Sequence, residues 1–191
     1  MIVIATAGDP TADALNGYAH TFVSTLDKPC TIWLDGAGAT AAAIDLALGA
    51  HPGQPAFLFG HGAPSPSTGF RATCGNLVLD NLGITRLLPN RVVVGSFCDG
   101  QQVGAQASQV GFSMFGYRGG LVVPLWPQHA KMMEAAALAG PRHVAQGGSV
   151  RSAASVAARA YAHLAYRLNM SRSYDDFMAA LVISINDPTY W

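Results

Sequence analysis

The chain has 191 residues, of which half are hydrophobic and 12% are charged, and its formal net charge at pH 7 is zero. This length suits a single domain, residues 1–191, with a sizeable core. The 11 basic residues are balanced by 11 acidic ones and form no dense basic patch, so we expect no nucleic-acid partner. No apolar run approaches the ~20 residues that cross a bilayer, so we expect no membrane partner.

Cysteine usage bears on the cellular location. Cys30, Cys74 and Cys98 form an odd, sparse set without CxxC spacing, which favours reduced thiols in the cytoplasm over a disulfide framework. No histidine pair has the spacing of a zinc site, and we expect no metal and no cofactor. Because a neutral surface rich in alanine and glycine resists self-association poorly, we expect a homo-oligomer or a regulatory protein partner.

Five short apolar runs predict buried strands, over residues 2–6, 31–34, 56–60, 91–97 and 121–124. A first helix is predicted behind a capping region at Asp9 and Thr11, with apolar residues spaced by three or four. Further helices are predicted over 40–48, 101–110, about 129–139 and 150–168. The first of these four ends at Gly49 and the third ends at Gly140-Pro141. This alternation predicts an α/β fold whose mostly parallel sheet has helices on both faces.

Two regions of the sequence have patterns of their own. Residues 62–80 predict a flexible loop followed by a small β-hairpin. The helix over 150–168 has an apolar face and a second face with polar residues at a strict spacing of four. That second face consists of Arg151, Ser155, Arg159, His163 and Arg167. It is either an anion site or a solvated helix face, and we favour the solvated face.

The residues with chemical potential lie at the ends of two predicted strands. His61-Gly62 follows the strand over 56–60, and Cys98-Asp99-Gly100 follows the strand over 91–97. Consecutive strands of such sheets are usually neighbours, ~4.8 Å apart, and ligands bind outside their carboxyl ends. The placement therefore predicts that His61 and Cys98 form a dyad.

Such a dyad is the arrangement that a nucleophilic cysteine needs. The thiolate is the nucleophile, and an adjacent imidazole promotes its formation or protonates the leaving amine. The positive N-terminal end of the helix after Cys98 favours the thiolate. The backbone N–H groups of Gly62 and Cys98 are placed to form an oxyanion hole. Taken alone, each side chain has a plainer interpretation, as an inert buried thiol or a structural histidine.

The segments FLFGHG and VVVGSFCDG resemble the paired His-Gly and Cys-x-Gly motifs of the caspase-like clan of cysteine peptidases. Within that clan, residues 50–165 are most similar to the CHAT family, through GNLVLDNLGITRLLPNRVVVGSFCDG, GYRGGLVVPLWPQHA and GGSVRSAASVAARAYAHL. The resemblance implies a caspase-like three-layer sandwich with a mostly parallel central sheet and helices on both faces. It also implies hydrolysis of a protein or peptide substrate, with Cys98 as nucleophile, His61 as general acid/base, and Gly62 and Cys98 amides as the oxyanion hole.

Three further residues are candidates for substrate binding. The resemblance places Trp126, in the loop over 125–127, beside the substrate channel, and the alternative is that it caps the edge of the core. Asp9 and Asp99 could supply negative charge to a pocket for a basic residue. Helix capping and local turn bonding are the alternatives that we favour for these two carboxylates.

Two other functions stay open. The bulky Phe97 before the cysteine would narrow or redirect the pocket, and TPR repeats, which often accompany CHAT domains, are missing from the sequence. Both points favour a catalytically silent caspase-like module that binds a partner protein. A small-molecule binder of flavodoxin-like topology would instead use the loop over 35–40, DGAGAT, which lacks a third glycine and a Walker lysine.

Overall fold

The computed structural model describes residues 1–62, 69–73, 75–124 and 126–191, and their fold is α/β. The strands are β1 (Ile2–Ala5), β2 (Ile32–Asp35), β3 (Ala56–Phe59), β4 (Val92–Ser96), β5 (Ser113–Tyr117) and β6 (Pro188–Tyr190). The helices are α1 (Pro10–Ser24), α2 (Ala41–Ala50), α3 (Asn81–Leu87), α4 (Gly100–Gly104), α5 (Ala107–Val110), α6 (Pro127–Ala137), α7 (Ala139–Ala145), α8 (Val150–Asn169) and α9 (Tyr174–Ser184). A 3₁₀ turn, Gly36–Gly38, precedes α2.

These strands form one mostly parallel sheet. Its order is β2-β1-β3-β4-β5-β6, and only β6 runs antiparallel to its neighbour. The chain leaves β1 for β2 on one side and then returns to β3 on the other side, so the direction of the strand order reverses between β1 and β3. The predicted pairing of β3 with β4 is confirmed, with Phe59 opposite Ser96.

One core lies on each face of the sheet. Because successive side chains of a strand point to opposite faces, Ile2 and Ile4 pack in one cluster with helices α2 to α5. Val3 and Ala5 pack in the other cluster with α1 and helices α6 to α9. Burial on both faces explains why the strands appear in the sequence as continuous apolar runs. The prediction of a sheet covered on both faces is confirmed.

Four of the five predicted strands are confirmed, and the fifth is wrong. Residues 121–124 have no regular structure, and the fifth parallel strand is β5, eight residues earlier. Leu121 and Val123 are nevertheless buried against the core. Their apolar run therefore reflects the packing of a loop and not strand pairing. The sequence also gave no signal for the short edge strand β6.

Several helix boundaries differ from the prediction. The helix expected over 101–110 is divided into α4 and α5, and α2 continues through Gly49. Gly140-Pro141 does not end the helical region but lies in the first turn of α7. Proline is tolerated in a first turn, where its missing N–H has no partner to lose. A side chain at Gly140 would collide with the ring of Phe115, so this glycine permits close packing.

The long C-terminal helix agrees with its prediction. α8 runs from Val150 to Asn169, and its predicted polar stripe is exposed to solvent. No helix in the described ranges is both long and apolar enough to cross a membrane. Of the predicted hairpin, the structure contains two isolated antiparallel bridges, Gly62 with Phe70 and Arg71 with Leu77. Residues 63–68 of the predicted loop, and the positions of Cys74 and Leu125, lie outside the described residues.

A buried cation ties the amino-terminal edge of the sheet to two helices. Arg91, just before β4, is 2% exposed. Its guanidinium donates hydrogen bonds to the carbonyl oxygens of Leu87 (3.1 Å), Leu48 (3.0 Å), His51 (3.0 Å) and Gln54. Carbonyls at the C-terminal end of a helix carry partial negative charge, so Arg91 caps α2 and α3 together. Burial lowers the pKa of Arg91, but arginine stays charged in proteins.

We expect Arg91→Leu to lower the free energy of unfolding by about 2–4 kcal/mol, because four carbonyls lose a charged donor. Urea denaturation measures the change. Arg86→Leu is the matched control, since Arg86 also joins α3 to α2, through Asp45, but does so in solvent. We expect a much smaller change for the control, and equal losses in the two variants would contradict the capping role of Arg91.

Candidate active site

Three strand ends meet at the carboxyl edge of the sheet. Asp9 follows β1, His61 follows β3, and Cys98 follows β4, which are consecutive in the sheet order. The strand order reverses between β1 and β3, and open α/β sheets bind ligands at such a switch point. The sequence predicted that His61 and Cys98 are neighbours, but it did not predict that β1 lies on the other side of β3.

His61 pairs with Asp9 across that switch point. Its Nε2 lies 2.5 Å from Oδ2 of Asp9, and both side chains are more than one third exposed. The other carboxylate oxygen of Asp9 accepts the backbone N–H groups of Thr11 and Ala12, so the favoured capping role of Asp9 is confirmed. Burial by itself raises the pKa of Asp9, but the hydrogen bonds from Ala12 and His61 outweigh it and hold the pKa below the ordinary value of 3.8. Asp9 is therefore a carboxylate that orients an imidazole.

Gly62 lies directly against the backbone of Cys98. Phe59 and Ser96 are paired in the sheet, and His61 and Cys98 each lie two residues further along their chains. The pairing of the strands therefore places these two residues next to each other. A Cβ at position 62 would overlap the carbonyl oxygen of Cys98, and only glycine fits there. The two amides predicted to form an oxyanion hole, those of Gly62 and Cys98, thus lie on adjacent chain segments. Within the described residues, neither amide donates to another residue.

The thiol of Cys98 is half-buried. Burial raises the pKa of Cys98 above its ordinary value of 9.0, and the nearby charge of Asp99 adds to the increase. This is opposite to the expected effect of the following helix, which has only the five residues of α4. The Sγ atom lies 3.6 Å from the carbonyl oxygen of Leu121, which it contacts as a hydrogen-bond donor. Among the described residues, no hydrogen bond joins Cys98 to His61.

Asp99 shapes the turn after the cysteine through its backbone. Its φ of 56° is left-handed, a conformation that aspartate tolerates better than most residues. Its N–H donates to the carbonyl oxygen of Gly119 at 3.0 Å. Its side chain makes no capping hydrogen bond to α4, so side-chain capping is wrong for Asp99. Its carbonyl oxygen accepts the N–H of Gln102 at 3.0 Å, which is a local turn bond.

A buried asparagine that the sequence analysis missed holds the loop over Cys98. Asn186, between α9 and β6, accepts the N–H of Val122 at 2.8 Å and donates to the carbonyl oxygen of Val122 at 3.1 Å. The adjacent Leu121 carbonyl contacts Cys98. An asparagine near the end of a helix usually suggests a cap, so nothing in the sequence connected it with a loop about 60 residues earlier.

A cavity of about 340 Å³ opens beside His61. Asp9, His61, Arg71 and Thr73 are among the residues that line it, and Arg71 donates to the carbonyl oxygen of Gly75 at 2.7 Å. Neither Cys98 nor Asp99 is among the described residues that line this cavity. A larger cavity, of about 490 Å³, lies at Met1 and therefore at the opposite edge of the sheet.

Trp126 lies at the start of α6. It is 40% exposed, and its ring packs edge-on against the buried ring of His129, with 5.7 Å between centroids. Its carbonyl oxygen accepts the N–H groups of His129 and Ala130, so its backbone caps the first turn. No contact among the described residues joins Trp126 to His61 or Cys98. Its role in substrate binding stays a prediction.

The structure gives no evidence of a phosphate site in the loop over 35–40. Gly36–Gly38 forms a 3₁₀ turn, and Thr73 donates to the carbonyl oxygen of Gly36 at 2.7 Å. The hydroxyl of Thr40 caps α2 by accepting the N–H of Ala43. The order of the five parallel strands is nevertheless the flavodoxin-like order. Small-molecule binding at this loop stays a prediction.

Comparison of the chain with protein-family models, with curated proteins and with solved structures found no match. Membership of the caspase-like clan therefore stays a prediction from the motifs. Function has to be inferred from the geometry of this sheet edge. Within the part of the chain that the structure describes, no group of histidine, cysteine and carboxylate side chains could hold a metal ion.

We expect Gly62→Ala to force apart the ends of β3 and β4 and to destabilise the protein by about 1–3 kcal/mol, the usual cost of overpacking. Thermal or urea denaturation measures this loss. Gly17→Ala is the control, because nothing lies within 4 Å of an added methyl group on α1. In that helix interior alanine should stabilise by about 1 kcal/mol. A Gly62→Ala protein as stable as the wild type would contradict the close approach.

We expect Asn186→Leu to increase the alkylation rate of Cys98 about fivefold, because losing ~1 kcal/mol of hydrogen bonding lets the Leu121 loop open more often. Iodoacetamide labelling read by mass spectrometry measures the rate. Cys30 in the same molecule is the internal control and should not change. Asn186→Asp keeps the acceptor for the Val122 N–H and should give an intermediate rate. Equal Cys98 rates in all three proteins would contradict the role of Asn186.

Proposed function

We propose that this protein is a caspase-like cysteine peptidase that hydrolyses peptide bonds of a protein substrate, with Cys98 as nucleophile and His61 as general acid and base. One observation carries the proposal: the β3–β4 register sets His61-Gly62 directly beside Cys98. Asp9 adds the third group that nucleophile–base sites use to orient the base. A mostly parallel sheet with helices on both faces agrees with the architecture that the caspase-like motifs imply.

Asp9 determines which nitrogen of His61 acts as the base. A carboxylate accepts hydrogen bonds but cannot donate them, so its contact with Nε2 at 2.5 Å needs a proton on that nitrogen. In a neutral imidazole the lone pair is then on Nδ1. Nδ1 is therefore the atom that takes the proton of the Cys98 thiol and returns it to the leaving amine.

In the proposed reaction, Sγ of Cys98 attacks the peptide carbonyl carbon while its proton passes to Nδ1 of His61. The N–H groups of Gly62 and Cys98 stabilise the resulting oxyanion. Cleavage of the C–N bond then transfers the proton from His61 to the departing amine and leaves a thioester. Water gives a proton to His61 as it attacks the thioester, and the thiol is restored with release of the carboxylic acid.

The protonation state of Cys98 constrains this reaction. Burial raises the pKa of Cys98 and so favours the thiol over the thiolate before substrate binds. Proton transfer to His61 must accompany the attack, which is general base catalysis. The thiol must also leave the carbonyl oxygen of Leu121, so substrate binding has to displace that contact.

The second candidate function is a catalytically silent module that binds a protein partner. It is favoured by the separate contacts of His61 with Asp9 and of Cys98 with Leu121. The ring of Phe97 is fully buried in the core beside Phe70, and Phe97 is not among the described residues that line the cavity at His61. The narrowing of the pocket by Phe97 stays a prediction.

We expect the wild-type protein to cut a proteome-derived peptide library and Cys98→Ala to leave it uncut, because the alanine lacks a nucleophile. Mass spectrometry of the library detects the new termini. Cys30→Ala is the matched control and should cut as the wild type does. Cuts that persist in Cys98→Ala would refute the assignment of the nucleophile.

The pH dependence of Cys98 alkylation separates the two functions if the library stays uncut. Because burial raises the pKa of Cys98, the thiol of a silent module should be alkylated slowly near neutral pH and faster as the pH rises. A peptidase should react at lower pH through His61, and His61→Ala should remove that reaction. Slow alkylation near neutral pH that His61→Ala leaves unchanged would favour the silent module.

A further inference from the structure

The helix pair α8–α9 has an apolar surface that no other part of the described chain covers. Eleven large apolar side chains are exposed among the described residues, and six of them lie on this pair or at its helix ends. They are Tyr166, Met170, Tyr174, Phe177, Leu181 and Ile185, which we call the α8–α9 face. Single exposed apolar residues are ordinary, but a contiguous patch marks an interaction site.

α9 is apolar on two sides. Ala179, Ala180 and Ile183 are buried against the core. The four members of the α8–α9 face on α9 begin at Tyr174 and follow at spacings of three, four and four residues. This spacing puts them on one stripe along the helix, which is the pattern of a helix that packs on both sides. One side is covered within the chain, and the other needs a partner.

The α8–α9 face combines a groove with projecting side chains. A groove of about 360 Å³ runs between the two helices, lined by Tyr166, Phe177 and Leu181 among others. Tyr174, 75% exposed, and Met170, 62% exposed, project at the turn that joins the helices. A two-fold interface uses the same patch on both subunits, and a surface with both a projection and a recess can be complementary to itself.

The size of the α8–α9 face fits one side of a dimer interface. With ~200 Å² for each large side chain, exposed fractions of 44–75% amount to roughly 700 Å². That is above the ~300–600 Å² of the largest apolar patch on a typical monomer. It is close to the ~800 Å² that each partner buries in a standard interface.

Charge favours a second copy of the same chain as the occupant. The net charge is zero, so two copies do not repel each other. Arg167, Arg172 and Asp175 are exposed near the edge of the face, and no ion pair among the described residues includes them. A two-fold axis can set Asp175 of one copy against an arginine of the other. We propose that the α8–α9 face is the interface of a two-fold symmetric homodimer.

Sedimentation velocity from about 1 to 100 μM, a range that brackets micromolar dissociation constants, tests the proposal. We expect the wild-type chain to form dimers, and Leu181→Glu and Tyr174→Glu to be monomers with unchanged circular dichroism. Tyr174→Glu puts a negative charge in the first turn of α9, where it favours the helix, so a loss of dimer would not reflect unfolding. Leu46→Glu is the matched control, since Leu46 is 71% exposed on α2, and it should remain dimeric.

Three results would overturn the homodimer. A wild-type chain that stays monomeric throughout the range would assign the α8–α9 face to a different protein. Dimers that persist in both glutamate variants would place the interface elsewhere. Assembly of the wild-type chain into species larger than dimers would exclude a closed two-fold contact.

Discussion

The contact between Gly62 and the carbonyl oxygen of Cys98 is the constraint on which the site depends. Parallel strands lie ~4.8 Å apart. Here the two chains stay in close contact past their last ladder pair, Phe59 and Ser96. They can do so only because position 62 has no side chain. The closeness places an imidazole and a thiol on facing turns, and β1 then adds Asp9 from the far side of β3. Three strand ends, none of them reactive alone, thus share one edge.

The two edges of the sheet use charge in different ways. At the amino edge, Arg91 binds only carbonyl oxygens among the described residues and stays charged at any pH at which the protein is folded. At the carboxyl edge, the pKa of Asp9 is lowered in the folded protein. The stabilisation by its contacts is therefore fully present above pH 3.8, the ordinary pKa, and is lost as the pH falls through the folded-state pKa. Acid therefore weakens the orientation of His61 while the cap on α2 and α3 persists. The Arg91 cap on α2 and α3 and the Asp9–His61 pair therefore respond to pH separately.

Local patterns in the sequence were enough to predict most of the frame. Continuous apolar runs predicted four strands, and the position of His61 and Cys98 after consecutive strands predicted their proximity. What could not be predicted depends on distant contacts. The pairing of Asp9 with His61 follows from the order of the strands in the sheet, which the sequence did not reveal. The loop at Leu121 is buried by packing against the core, and its apolar residues have the same sequence pattern as a buried strand. The raised pKa of Cys98 comes from the burial of its side chain in the folded protein. Asn186 belongs to this group because its partner is remote in the chain.

The late position of Asn186 in the chain has a consequence for biosynthesis. Ribosomes add about 5–20 residues per second, so roughly 4–18 s separate the synthesis of Cys98 from that of Asn186. During this interval β3, β4 and His61 have already been synthesised, but Asn186, which holds the loop over the thiol by hydrogen bonds to Val122, has not. The nascent chain thus passes through a stage in which its cysteine is more accessible than in the finished fold. Completion of α9 and β6 ends that stage and closes the site around the thiol.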